Sequence, residues 1–162
     1  MFGHKLISGD NHIDLTYLPA NLWSSQAPQK WTKLAPRTEE RNDGQHWFVD
    51  DVDRGMWNGV GPGFLPYTKG SFDHIDEMAD LGFEWNSYPG AQPRPTTPEL
   101  RIADLDRDHL EKEVVYGCLM VNDLIDSAEL RGWVDGIYND WVADFAKRAD
   151  ANRVFPDRKS VV

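Results

Sequence analysis

The run EVVYGCLMV (113–121), followed after a short polar break by a periodic stretch from Leu130 to Ala149, limits the fold more than any other feature. Its nearly continuous apolar character predicts a strand covered on both faces, as in a parallel sheet. Leu130, Trp133, Val134, Ile137, Tyr138, Trp141, Val142, Phe145, Ala146 and Ala149 recur at spacings of three and four, which predicts one long amphipathic helix. Asp126 with Glu129 offers a variant capping box at its start. A buried strand feeding such a helix is the repeating unit of α/β proteins.

Earlier segments fit that class. KLISGD (5–10) predicts a short strand, with Gly9 and Asp10 leading the chain out into a loop. Pro19, Pro28 and Pro36, with Trp23 and Trp31 between them, exclude a long helix and predict an extended connection pinned by aromatics. GQHWFVDD (44–51) reads as a strand and GMWNGVGPGF (55–64) as a turn-rich return, together a hairpin or small sheet. A helix is expected from Ser71 to a stop at Gly82, and a proline-rich loop over 86–98. Thr97-Pro98-Glu99 starts the next helix, carrying Leu100, Ile102, Ala103 and Leu105 toward Lys112, with a break around Asp108. The order strand, long excursion, helix, strand, helix gives a single α/β domain over 1–162, with residues 17–95 as a tryptophan-rich excursion inside it.

Composition removes several classes of function. A formal charge of −10 at pH 7 disfavours nucleic acid as a partner, since phosphate binding needs a basic surface. No run approaches the roughly 18 apolar residues of a spanning helix, so no membrane association is expected. The N-terminus lacks the long apolar run and cleavage site of a secretory signal. Cys118 stands alone and forms no internal disulfide, which suits a reducing cytoplasm.

Chemistry is concentrated in GDNH. Asp10 and His12, a carboxylate and an imidazole two residues apart at a strand end, can turn toward one cation; oxygen and nitrogen donors of this kind suit zinc or manganese. The alternative is that Asp10 caps a turn and His12 is a partly buried loop histidine. His4, His46, His74 and His109 lack a second ligand at a recognised spacing and read as surface or structural residues. Asp104, Asp106 and Asp108 do not share a helical face, so they read as solvated. Trp23, Trp31, Trp47, Trp57 and Trp85 predict a small aromatic core, or else a pocket lining. Cys118 reads as core.

Three segments carry a resemblance. The opening ISGDNHIDLTYLPANLW, the run TPELRIADLDRDHLEKEVVYG and the later GIYNDWVADFAKRADANRVFPDR resemble, in order, the first part of amidohydrolase-related, metal-dependent barrel proteins. The resemblance covers most of the chain outside residues 40–95. It implies a partial (β/α) barrel, the first two or three β/α units, with the excursion between the first strand and the next barrel helix. A full (β/α)₈ barrel takes roughly 250 residues, so the 162 here resemble an N-terminal part.

By the same resemblance Asp10 and His12 become the first two ligands of a divalent ion, zinc or manganese. That ion activates water for hydrolysis or orients a carboxylated small-molecule substrate for non-oxidative decarboxylation. The family completes its site with a histidine from a middle strand and an aspartate near the last strand, and neither position exists here. No catalytic general base is assigned. A partial barrel leaves an open edge, so self-association into a homo-oligomer is expected, and a non-catalytic α/β module that binds itself or a partner is the alternative reading.

Overall fold

The computed structural model describes residues 5–13, 15, 18–56, 97–117 and 121–157. In chain order its strands and α-helices are β1 (Leu6–His12), β2 (Arg37–Arg41), β3 (Gly44–Val49), β4 (Val52–Met56), α1 (Pro98–Arg107), β5 (Leu110–Tyr116), α2 (Ala128–Asp150) and β6 (Val154–Pro156). The chain divides into two compact units, Met1–Leu18 with Pro95–Val162, and Pro19–Arg94. The helix expected from Ser71, the loop up to residue 96 and most of the turn-rich return lie outside the described residues.

The first unit is built on a parallel sheet in the order β1-β5-β6. Parallel neighbours need a crossover, and α2 supplies it between β5 and β6. Thr97 caps α1: its hydroxyl accepts a hydrogen bond from the Leu100 amide at 3.3 Å, and Pro98 occupies the first turn, where no amide donor is needed. The helix stops at Arg107, at the break expected around Asp108 and short of Lys112, and His109 then turns into the left-handed region with φ 56°. That turn starts β5 at Leu110, three residues before the apolar run.

A left-handed residue just past a helix is ordinarily glycine, which carries no Cβ penalty there. His109 is exposed. Substitution His109→Gly is therefore expected to stabilise the chain by about 1 kcal/mol, read as a rise in the denaturant midpoint.

The cap of α2 is Ser127 rather than the expected Asp126–Glu129 box; its hydroxyl accepts from the Leu130 amide at 3.3 Å. Along α2 the predicted stripe buries Leu130, Val134, Tyr138, Val142, Phe145 and Ala146, with Trp133, Ile137 and Trp141 half-buried at its border. Leu105, Val115 and Val154 extend this core from α1, β5 and β6. Strand β6, unmarked in the sequence pattern, pairs Glu113 with Val154 and Val115 with Pro156.

In the second unit β2, β3 and β4 form an antiparallel sheet in chain order. The β3–β4 connection is a tight turn in which Asp50 and Asp51 both have positive φ (55° and 60°), the two-residue geometry that matches strand twist. The segment before β2 is not extended, as its prolines suggested. It coils through single 3₁₀ turns at Ser24–Gln26 and Gln29–Trp31, the second of which follows directly on Pro28. Trp23 and Trp47 are fully buried edge to face, ring centres 6.2 Å apart, and Trp31 is buried as well. Trp57 and Trp85 lie outside the described residues. The whole is a mixed α/β chain with one parallel and one antiparallel sheet and, among the described residues, two α-helices.

Candidate metal centre

Asp10 and His12 stand within β1, at its C-terminal end, and not in a loop beyond it. Pairing continues through His12, which is opposite Tyr116, because β5 extends to that level. Between Ser8, opposite Glu113, and Asn11, opposite Val115, β1 takes three steps while β5 takes two. One extra residue is therefore bulged at Gly9 or Asp10. Bulges re-aim side chains, and this one reverses the alternation in mid-strand. Asn11 faces Glu113, and His12 faces the opposite side beside Tyr116, with ring centres 6.1 Å apart at 66°. Without the bulge, Asp10 and His12 would share a side with Ser8 and Glu113.

The two candidate ligands meet. His12 Nε2 and Asp10 Oδ1 are 3.0 Å apart, the Asp10 side chain 84% exposed and that of His12 28%. The two atoms stand at hydrogen-bonding distance. Donors at roughly 2.0–2.2 Å from one cation subtend about 3.0 Å in octahedral and about 3.4 Å in tetrahedral geometry, so the pair matches two octahedral positions and has to open slightly for a tetrahedral ion. A catalytic site of this kind generally takes three protein ligands plus water. Among the described residues no group of three or more His, Cys, Asp or Glu side chains could hold a metal ion.

Behind the pair lies a feature that sequence reasoning missed. Glu113, fully buried, receives a bidentate fork from Arg101: Nε donates to Oε1 at 2.7 Å and Nη2 to Oε2 at 2.5 Å. Asn11 Nδ2 donates to the same Oε2 at 2.6 Å, and Arg101 Nη1 donates to the backbone carbonyl of His12 at 3.3 Å. The available signal was a charged residue at the head of an apolar strand, with an arginine 12 residues upstream on the helix that precedes it.

The other acids and histidines behave structurally. Asp106 accepts from Arg153 Nη1 at 2.7 Å, and Asp104 pairs with Arg107. In the second unit His46 Nδ1 lies 2.9 Å from Asp53 Oδ1. Its Nε2 is 3.1 Å from Asp43 Oδ1 but outside hydrogen-bonding direction, so that contact is an ion pair at most. His4, His74 and Cys118 lie outside the described residues.

Burial opposes the charge of Asp53, but the hydrogen bond to His46, the Gly55 amide and Arg41 outweigh it and hold the carboxyl below the ordinary aspartate value of 3.8. A carboxyl depressed on folding adds stability that is full above its unfolded value and lost as pH falls through its folded one. Substitution Asp53→Asn is thus expected to lower stability slightly at neutral pH and to leave no difference from the parent in strong acid, measured by urea unfolding at stepped pH. Its side chain is 41% exposed, which keeps the effect small.

Parallel strands joined through helices, with potential ligands at the C-terminal end of the first strand, place the first unit in the α/β class, where sites lie beyond the carboxyl ends of strands. The fold is similar to that of a solved amidohydrolase from Mycobacterium avium subsp. paratuberculosis K-10, with a TM-score of 0.62 and 15% sequence identity over 98% of this chain and 43% of that one. The chain thus spans less than half the length of that enzyme. At such identity the likeness is one of fold. No family model matches the sequence, and no curated protein is similar to it. Among the described residues, no helix is long and apolar enough to cross a membrane.

Proposed function

We propose that this chain forms the N-terminal part of a metal-dependent hydrolase of the amidohydrolase type, with Asp10 and His12 as two ligands of a zinc or manganese ion. The observation that carries this reading is the convergence of a carboxylate and an imidazole on one side of β1, 3.0 Å apart at its C-terminal end. The fold likeness to an amidohydrolase supports it, as does the order of the three resembling segments. In this reading β1, β5 and β6 are the first strands of a barrel, and the side bearing His12 and Tyr116 faces its lumen.

When bound, such an ion lowers the pKa of a coordinated water or holds a substrate carboxylate. The residues of this chain supply two donors, and Tyr116 offers an aromatic wall beside them for a small-molecule substrate. Metal analysis of the purified chain tests the reading. Near-stoichiometric zinc or manganese, lost in an Asp10→Ala/His12→Ala variant, is the expected result; metal at background in both proteins contradicts it.

Self-association is a second reading, favoured by a separate observation. Leu6, Ile7, Tyr116 and Phe155, all on strands of the parallel sheet, are between 36% and 62% exposed. Exposed apolar strand residues of this kind mark a surface that another chain covers. Light scattering is expected to return a dimer or larger species; a concentration-independent monomer rejects this reading.

A further inference from the structure

We infer that Arg101, through Glu113, is a positioning residue for the Asp10–His12 pair: the buried guanidinium–carboxylate fork fixes the end of β1 on which both ligands stand. The inference rests on the metal reading above and concerns residues that touch no metal themselves.

Two independent links run from the fork to the strand end. Asn11, the residue between the two ligands, donates from its side chain to Glu113 Oε2 at 2.6 Å. Arg101 Nη1 donates to the His12 carbonyl at 3.3 Å. One link holds the Asn11 side chain and the other the His12 carbonyl, so they set the backbone and touch neither the imidazole of His12 nor the carboxylate of Asp10. They are needed at this place because the bulge at Gly9 or Asp10 interrupts the regular pairing with β5. A bulged strand has lost local ladder bonds and would otherwise let its end swing. Arg101 comes from α1 and Glu113 from β5, so the fork ties helix, central strand and edge strand at one level.

Its burial also points to more than stability. Glu113 is fully buried and Arg101 is 7% exposed. A buried ion pair seldom stabilises a fold more than well-packed apolar residues of the same volume would. What an apolar pair cannot do is donate to a carbonyl or accept from an amide. Those are the two bonds that reach β1.

The test separates positioning from folding by replacing both partners at once. Arg101→Met/Glu113→Leu removes the fork without leaving a lone buried charge, and it is expected to melt near the parent. Asn11→Leu, which leaves the fork intact and cuts one link, is the second variant should the first fail to fold. For each full-length protein, calorimetric titration with Mn²⁺ alone gives Kd, and amide hydrogen exchange in the metal-free state gives protection at residues 11–13. Loss of supporting contacts around a metal ligand typically weakens affinity 10–100-fold. The double variant is expected to show at least a tenfold rise in Kd and faster exchange at residues 11–13, with exchange in α2 unchanged; Asn11→Leu should shift both in the same direction by less.

Unchanged Kd in the variants, with the parent binding Mn²⁺, overturns the inference and leaves the metal reading standing. If the parent binds neither Mn²⁺ nor, titrated in its place, Zn²⁺, the metal reading fails, and exchange decides the bracket alone. Equal exchange then rejects it, while faster exchange confined to residues 11–13 upholds the fork as what holds that strand end.

Discussion

Arg101→Met alone is expected to destabilise the first unit by about 3–5 kcal/mol, read from urea unfolding followed by far-ultraviolet circular dichroism. The cause is not the lost attraction but what remains. Glu113 would stay fully buried as a carboxylate with only the Asn11 amide to answer its two oxygens. A buried charge stripped of its partner costs several kcal/mol, a large fraction of the roughly 5–15 kcal/mol that holds a domain together. The contrast with Arg101→Met/Glu113→Leu is what gives this prediction its content. If the single variant is as stable as the double, Glu113 is not held as a desolvated charge.

Trp47→Ala should have an effect of similar size in the other unit, about 3–5 kcal/mol. Trp47 is 0% exposed in β3 and meets Trp23, also 0% exposed, edge to face. Truncation removes the largest side chain on that strand and leaves a cavity, and it also forfeits the ring pair, worth roughly 0.5–1.5 kcal/mol beyond burial. Near-ultraviolet circular dichroism reports the loss, because both indoles sit in fixed asymmetric surroundings. Full retention of that signal with a cost under about 1 kcal/mol would mean that the aromatic cluster does not hold the antiparallel sheet.

The sequence disclosed those elements whose signals are local. Thr97-Pro98 marks the start of α1 through its own hydroxyl and fixed φ, and the stripe from Leu130 to Ala146 marks α2 through periodicity alone. Strand β5 is legible as an apolar run and the end of α1 as a break around Asp108, but Leu110–Lys112 read as helix, since nothing in Asp108-His109 announces a left-handed turn without glycine. Strand β2, Arg-Thr-Glu-Glu-Arg, has no apolar face to read; it exists because β3 pairs with it and because Arg37 and Arg41 lay their guanidinium groups over Phe48. Strand β6 is three residues long and owes its place to β5.

The candidate site was half legible for the same reason. Asp10 and His12 stand out as residue types at a short spacing. Which side of the sheet they share does not, because it is set by a bulge that only the pairing with β5 reveals. Arg101 and Glu113 are 12 residues apart, on a helix and at the head of the apolar run, and nothing in that spacing pairs them. Only when α1 folds onto β5 do they become one buried group.

The central claim is that the end of β1 presents Asp10 and His12 together to a divalent cation. Titrating ¹³C,¹⁵N-labelled protein with Mn²⁺ tests it most directly, since the paramagnetic ion broadens signals according to distance. The His12 imidazole and the Asp10 carboxyl are expected to broaden first, at sub-stoichiometric metal, with Tyr116 next and with His46 unaffected; Asp10→Ala should abolish the selectivity. Broadening that begins at the Asp43–His46–Asp53 cluster, or that spreads evenly over surface carboxylates, would contradict it.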